Sequence, residues 1–172
     1  AITALAECPS TNTFLLACNA QGAPSGSVIV CDRQTAGRGS RGRRWSASPQ
    51  ASLTFSLLWH FECELVRLSG LSLGVGVAGE LDGDPALVAA DLDVLECAVV
   101  RALAACGARG ALLKWPNDIL FHDAKLGGIL VELCSDPAQA QQAQAVIGIG
   151  LNLLPPATDG LDGAFMRPST SI

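Results

Sequence analysis

The sequence predicts one domain of the α+β class, with a mixed, mostly antiparallel sheet backed by helices. Strand-like runs stand before and after a central helical block, and the turns between them are short, without regular β–α–β alternation. The chain has 172 residues, of which 49% are hydrophobic, so it can bury a sizeable core. Only 16% are charged, the opposite of the balance in disordered chains.

The amino-terminal part predicts a helix, a loop and two strands. Ser10 is suited to cap a helix over 11–20, because its hydroxyl can accept a hydrogen bond from the first turn. The β-branched run at 27–31 and the apolar run at 52–61 predict strands. The segment 34–49 between them is rich in Gly and Arg and predicts a loop.

The middle of the chain predicts two helices, and the remainder predicts mainly strands. A helix over 68–81 ends before the Asp-Gly-Asp-Pro turn at 82–85. Apolar residues then recur at helical steps of three and four over 86–106. The later elements are expected to be strands over 111–114, 119–121, 126–134 and 145–153, with a short helix over 137–144.

Charge and cysteine content exclude several classes of protein. With 11 basic and 16 acidic residues the net charge is −5, which argues against a protein whose whole surface binds nucleic acid. The most apolar stretch, 86–105, contains four charged residues and predicts no membrane span, and no signal-peptide pattern opens the chain. The seven cysteines include no C-x-x-C pair and predict free buried thiols in a reducing, cytoplasmic location.

One loop concentrates the positive charge. Four of the eleven basic residues lie between Gly37 and Trp45, namely Arg38, Arg41, Arg43 and Arg44. Glycine lets a backbone approach a ligand, arginine binds phosphate or carboxylate, and Trp offers a flat face for a base. The segment is therefore a candidate flap over a nucleotide. A solvated loop and an RGG-like nucleic-acid segment remain alternatives.

The two lysines of the chain both accompany turn or glycine signals. Lys114 begins Lys-Trp-Pro-Asn-Asp118, where Asp118 could hold Mg²⁺ or ribose hydroxyls, although Pro-Asn-Asp is also ordinary turn chemistry. Lys125 precedes Gly127 and Gly128 inside a predicted strand, which suggests that a ligand or another backbone comes close there. Solubilising lysines would be scattered over helix faces, so this bias favours a function.

Together these segments resemble the catalytic domain of biotin–protein ligases. The resemblance covers about residues 5–155. It rests on STN at 10–12, QTAGRG at 34–39 with Trp45, KWPND at 114–118, KLGGILVE at 125–132 and GIGLN at 148–152. It implies a fold related to class II aminoacyl-tRNA synthetases. It also implies two reactions: biotin and Mg·ATP give biotinyl-5′-AMP, and a lysine of a biotin carboxyl carrier protein then accepts the biotinyl group.

The resemblance also implies roles for individual residues. The implied catalytic residues are Lys125, Arg38 and Lys114. The implied biotin-binding residues are Ser10, Thr11, Asn12, Gln34, Gly37, Arg38, Lys125, Gly127 and Gly128. The implied ATP-binding residues are Arg38, Arg41, Arg43, Trp45, Lys114, Asn117, Asp118 and Asn152, and Asp118 is also the candidate metal ligand.

The sequence departs from the family pattern in several places. Ser40 stands where the loop commonly has arginine, and 79–98 resembles an insertion of about 20 residues. We expect the catalytic domain to span 1–155, with 156–172 a loop or the start of a shortened C-terminal region, and no N-terminal DNA-binding domain. A non-catalytic biotin-binding module and a lipoate–protein ligase remain the alternative functions. No membrane or nucleic-acid partner is expected, and homodimer formation stays open.

Overall fold

The computed structural model describes residues 1–62, 98–114, 116–135 and 143–153. Within these ranges the chain forms seven strands, two helices and one 3₁₀ turn at Ser40–Gly42. In chain order the strands and helices are β1 (Ile2–Cys8), α1 (Thr11–Asn19), β2 (Val28–Gln34), β3 (Ser52–Phe61), α2 (98–105), β4 (Ala111–Lys114), β5 (Asp118–Phe121), β6 (Ala124–Ser135) and β7 (Ala143–Asn152).

All seven described strands belong to one sheet, in the order β1-β2-β3-β7-β6-β5-β4. The β1–β2 pair is parallel, and every other pair is antiparallel. This arrangement confirms the predicted fold class. The long strand β7 lies at the centre, where it pairs with β3 on one side and β6 on the other.

The two helices lie on opposite faces of the sheet. Helix α1 buries Leu15 against Leu58 of β3 and Val146 of β7. Helix α2 buries Leu103 in a second cluster that contains Ile147 of the same strand. Successive side chains of a strand point to opposite faces, so β7 contributes alternate residues to the two cores. The polar residues described below share the face that α1 covers.

Several predicted elements are confirmed, and others need correction. Helix α1, its Ser10 cap and strands β2 to β7 all form near their predicted positions. The sequence did not predict strand β1, whose conformation depends on its parallel pairing with β2. The predicted helix over 137–144 is wrong at its end, since Ala143 and Gln144 already pair with β6. Strand β2 also continues to Gln34, into the predicted loop.

Some predictions lie outside the described residues. These are the helix at 68–81, the turn at 82–85, the greater part of the helix at 86–106 and of the 79–98 insertion, residues 137–142, and the C-terminal segment from 154 onward. No helix of the described ranges is both long and apolar enough to cross a membrane.

The described cysteines are all free, as predicted: Cys8, Cys18, Cys31, Cys106 and Cys134. The predicted burial is right only for Cys8 and Cys31, since Cys18 and Cys134 are partly exposed and Cys106 is exposed. Burial, together with the neighbouring Cys31 thiol, raises the pKa of Cys8 from 9.0 to about 12. Because the thiolate is the nucleophile, Cys8 stays unreactive near neutral pH.

We therefore expect iodoacetamide at pH 8 to alkylate the exposed Cys106 and leave Cys8 intact in the folded protein. Peptide mass spectrometry would measure both. Equal labelling of the two cysteines would contradict the assigned burial.

The raised pKa of Cys8 also predicts that the free energy of unfolding falls as pH rises from about 9 to about 12, because the unfolded chain loses the Cys8 proton first.

Leu58 provides a test of the α1 core. Its side chain is 0% exposed, so Leu58→Ala should lower the free energy of unfolding by about 2–5 kcal/mol in urea titrations. Leu53 lies on the same strand but is 37% exposed, and Leu53→Ala should cost about 1 kcal/mol or less. Similar losses in the two variants would contradict this packing.

Candidate functional site

The N-terminus of α1 is tied to the end of β2. Ser10 is the N-cap, and its hydroxyl accepts a hydrogen bond from the Thr13 amide. The Thr11 amide donates to Gln34 Oε1 at 2.7 Å, and the Thr11 hydroxyl lies 3.3 Å from the same oxygen. Ser10 and Thr11 are almost fully buried. The first turn of α1 and the Gln34 side chain therefore form one polar unit.

Asn12 links this unit to the centre of the sheet. The Ser56 hydroxyl of β3 donates to Asn12 Oδ1 at 2.5 Å and lies 2.8 Å from the Thr11 hydroxyl, from which it can accept. Asn12 Nδ2 donates to Glu132 Oε2 of β6 at 2.8 Å. Because Ser56 and Asn12 are 0% and 2% exposed, every one of these polar groups needs its partner. We call Thr11, Asn12, Gln34, Ser56 and Glu132 the head cluster.

A glycine at 148 makes the position of Asn12 possible. A Cβ atom at Gly148 would overlap the Asn12 side-chain amide. Gly148 lies on β7 between Ser56 of β3 and Leu130 of β6, which are its partners in register. The absence of a side chain at Gly148 thus leaves room for the Asn12 amide to contact the sheet.

The Gly/Arg loop forms a short flap over the same face. Its two arms pair through an isolated bridge between Arg38 and Arg44. Arg38 Nη2 reaches Glu132 Oε2 at 2.8 Å. Arg41, which is exposed, and Arg43 extend from the tip of the flap, where Arg43 donates to the Ser40 hydroxyl and carbonyl. Ser40, which stands where the loop commonly has arginine, therefore holds Arg43 at the tip through these hydrogen bonds.

Trp45 closes the flap against β7. Its amide donates to the Gly37 carbonyl at 3.0 Å, and a Cβ at Gly37 would overlap the Trp45 carbonyl. The indole lies on Gly150, where any side chain would overlap it, and its Nε1 lies 3.4 Å from Thr54 Oγ1. Trp45 therefore sits on the face of β7 just beyond Gly148.

Lys125 and Asp118 form a second polar cluster further along the face. Lys125 Nζ donates to Asp118 Oδ1 at 2.6 Å, and both side chains are about one-quarter exposed (28% and 25%). A Cβ at Gly128 would lie 3.8 Å from Lys125 Nζ. Lys114 of β4 stands opposite Asp118 in the register of the sheet. We call Lys114, Asp118, Lys125 and Gly128 the tail cluster.

The remaining candidate residues have structural contacts of their own. Asn117 Nδ2 donates to the Ile129 carbonyl at 2.9 Å and so fastens the start of β5 to β6. Gly127 faces a backbone, because a Cβ there would overlap the Gly150 carbonyl. Asn152 ends β7 on the same face as Gly150. The close approach predicted at Gly127 is thus to a neighbouring strand.

The structure brings the candidates together in two groups and leaves a few apart. The head cluster contains Thr11, Asn12 and Gln34 of the predicted biotin-binding residues, and Arg38 is paired with its Glu132. Lys125 lies instead in the tail cluster, together with Lys114 and Asp118. Within the described ranges no three His, Cys, Asp or Glu side chains are grouped so as to hold a metal ion. Asp118 is already paired with Lys125, so its assignment to a metal stays a prediction.

Comparison with known proteins adds to this geometry. The model of the biotin/lipoate A/B protein ligase family matches residues 5–152. The chain belongs to this family. Among curated members of the biotin/lipoate ligase family, it is 35% identical over 144 residues to the bifunctional ligase/repressor BirA of Escherichia coli, covering 84% of this chain and 38% of BirA. It is 36% identical over 172 residues to the biotin–[acetyl-CoA-carboxylase] ligase of Mycobacterium tuberculosis, covering 95% of this chain and 56% of that protein.

Solved structures of biotin protein ligases have the same fold. The Aquifex aeolicus enzyme in complex with biotin and ATP superposes with a TM-score of 0.64 at 28% identity, covering 99% of this chain and 58% of that one. The Leishmania major enzyme with biotinyl-5-AMP gives 0.58 at 27% identity, covering 99% and 62%. The chain thus spans from about two-fifths to three-fifths of the length of these relatives.

Three residues of the site were missed by the sequence analysis: Thr54, Ser56 and Glu132. Thr54 and Ser56 are polar residues that alternate with the apolar Leu53, Phe55 and Leu57, and they are 4% and 0% exposed. That alternation is the signal that could have identified them. Glu132 is the last residue of the KLGGILVE segment. A charged residue that follows a run of apolar residues in this strand is the signal that could have identified it.

Ser56 tests whether the head cluster is a connected network. Ser56→Ala removes the donor to Asn12 Oδ1, and we expect it to lower the free energy of unfolding by about 1–3 kcal/mol. Ser46→Ala, at an exposed loop position, is the matched control and should change stability by about 0.5 kcal/mol or less. Equal stability of the two variants in urea titrations would contradict the network.

Proposed function

We propose that this chain is the catalytic part of a biotin–protein ligase. One observation carries the proposal: a single sheet face holds a buried, hydrogen-bonding head cluster at one end and a lysine-containing tail cluster at the other. Biotin has the matching chemistry, with an uncharged ureido head, an apolar body and a carboxylate tail. The relatives named above as biotin ligases, and the structures solved with biotin or biotinyl-5-AMP, support the same substrate.

The head cluster is suited to select the ureido group. Thr11, Gln34 and Asn12 supply hydroxyl and amide groups, which are fixed by the Thr11–Gln34 bonds and by Ser56, the common partner of Thr11 and Asn12. A site that pairs its buried polar groups with a ligand rejects analogues that lack those partners, since the protein groups would then stay unpaired. The Ser10 hydroxyl already accepts a hydrogen bond as the N-cap of α1. We therefore infer that Ser10 contributes to biotin binding through its backbone groups.

The tail cluster is suited to bring two anions together. In the proposed first step, a biotin carboxylate oxygen attacks the α-phosphorus of ATP, and the bond to pyrophosphate breaks. Lys125 would neutralise the charge where the carboxylate and phosphate meet, and Lys114 would support the phosphates. Preorganised cations of this kind contribute several kcal/mol to such reactions. Arg38 is proposed to join Lys125 at the anion.

The flap is proposed to cover the nucleotide. Trp45 would stack on adenine, Arg41 and Arg43 would approach the phosphates, and closure would exclude water from the mixed anhydride. Asn152, Asn117 and Asp118 remain the proposed nucleotide contacts. Magnesium would enter with ATP and be held mainly by phosphate oxygens, with Asp118 as the proposed protein ligand.

The proposed second step transfers biotin to a carrier protein. The ε-amine of a carrier lysine attacks the carbonyl carbon of biotinyl-5′-AMP, the bond to AMP breaks, and an amide forms. A biotin carboxyl carrier protein is thus the proposed partner. The free thiols of the described cysteines fit the reducing, cytoplasmic location proposed for this reaction.

Lys125 provides the direct test of the first step. The chain should catalyse biotin-dependent exchange of labelled pyrophosphate into ATP, and Lys125→Ala should reduce the rate by about 10²–10³-fold, because the central cation is lost. Arg33→Ala is the matched control: Arg33 pairs with Glu7 on the exposed edge of the sheet and should leave the rate unchanged.

Two outcomes would contradict the proposal. Biotin binding without any exchange would indicate a non-catalytic binding module. Exchange that depends on lipoate in place of biotin would indicate the other branch of the family. Equal activity of Lys125→Ala and the wild-type chain would contradict the role given to Lys125.

A further inference from the structure

The ion pair between Arg38 and Glu132 has no task in the proposed reaction. It joins the flap to β6, two segments that lie 94 residues apart in the sequence. The two charged atoms are 2.8 Å apart, and the side chains are 46% and 24% exposed. Glu132 thus holds the arginine that the proposed chemistry needs at the substrate anion.

The two partners differ in how firmly they are held. The Glu132 carboxylate also accepts a hydrogen bond from Asn12 Nδ2 at 2.8 Å, and Asn12 is itself buried and bonded to Ser56. Arg38 belongs to a flap whose arms pair only through the Arg38–Arg44 bridge and short loop hydrogen bonds. Glu132 is therefore the fixed anion of the pair, and Arg38 is the partner that can move.

Arg38 and Lys125 belong to different ion pairs in this arrangement. Arg38 is paired with Glu132, and Lys125 is paired with Asp118, while Glu132 and Lys125 are seven residues apart on β6. Because the guanidinium is bound to Glu132, Arg38 has to release that carboxylate before it can bind the carboxylate of a ligand beside Lys125.

We propose that Glu132 is a positioning residue that holds Arg38 in the ligand-free protein and gives it up to the carboxylate of the arriving ligand. The exchange replaces one carboxylate partner of Arg38 with another, so the arginine is never left without a counter-charge. After Arg38 departs, the hydrogen bond from Asn12 Nδ2 still stabilises the negative charge of Glu132. The inference rests on the proposed function, because it takes the ligand to be a carboxylate such as biotin.

Glu132→Gln removes the negative charge that pairs with Arg38 but keeps an acceptor for the Asn12 hydrogen bond. The glutamine oxygen can still accept from Asn12, so the head cluster keeps its partner while the ion pair to Arg38 is lost. The matched control is Glu7→Gln, which removes an ion pair of similar length, 3.0 Å to Arg33, between β1 and β2 and away from the flap. Arg38→Gln and the double variant complete the set.

The first readout needs no ligand. Hydrogen exchange of the flap amides over 36–46 should be two- to fivefold faster in Glu132→Gln and in Arg38→Gln, as expected for losing a partly exposed ion pair. The double variant should exchange no faster than either single variant, because both changes remove the same interaction. Glu7→Gln should exchange like the wild-type chain.

The second readout is biotin-dependent pyrophosphate exchange. Glu132→Gln should lower KM for biotin two- to fivefold, because the ligand no longer competes with Glu132 for Arg38. In the Arg38→Gln background, Glu132→Gln should have no effect on KM. A KM effect that persists in that background would assign Glu132 a structural role and overturn the proposal, as would unchanged flap exchange in Glu132→Gln.

The two readouts distinguish the two hypotheses. Faster flap exchange together with no biotin-dependent activity in the wild-type chain would support the hold on Arg38 and contradict the proposed function. Normal activity with unchanged flap exchange would support the proposed function and overturn the role of Glu132.

Discussion

The hydrogen bonds of Asn12 determine where the other parts of the site lie. Its oxygen faces Ser56 of β3 and its nitrogen faces Glu132 of β6, so one side chain bridges two strands that flank β7. An unpaired group in such a buried network costs about 1–3 kcal/mol, which favours a single position for α1 on the sheet. Because Gly148 admits the amide, this position depends on the sequence of β7 as well.

Alternate residues of β7 contact successive segments of the chain along the face of the sheet that α1 covers. Val146 packs under α1, Gly148 receives Asn12, and Gly150 receives Trp45 of the flap. Each glycine lets a group from another segment touch the sheet backbone, and the next residue on the opposite face remains a core residue. The spacing of two residues between Gly148 and Gly150 therefore sets how far apart the helix and the flap contact β7.

Local patterns predicted the parts of the molecule that local chemistry determines. The Ser10 cap, the apolar strands and the GIGLN glycines are visible in the sequence, since capping, alternation and close approach each leave a short-range signal. The partners of Glu132 and Ser56 are not, because they depend on which strands become neighbours across a seven-strand sheet. Strand β1 was missed for the same reason: its pairing with β2 determines its conformation. The resemblance named Arg38 and Lys125 together as candidate residues, but it did not indicate that Arg38 would pair with Glu132 and Lys125 with Asp118.

The central claim is that a buried polar head cluster and a cationic tail cluster on one face select a ligand with a ureido head and a carboxylate tail. Calorimetric titration of the chain with biotin and, separately, with lipoic acid tests this directly, because both acids have an apolar body and a carboxylate but only biotin carries the ureido group. We expect a measurable binding isotherm for biotin and none for lipoic acid at the same concentrations. Lipoic acid binding as tightly as biotin would contradict it.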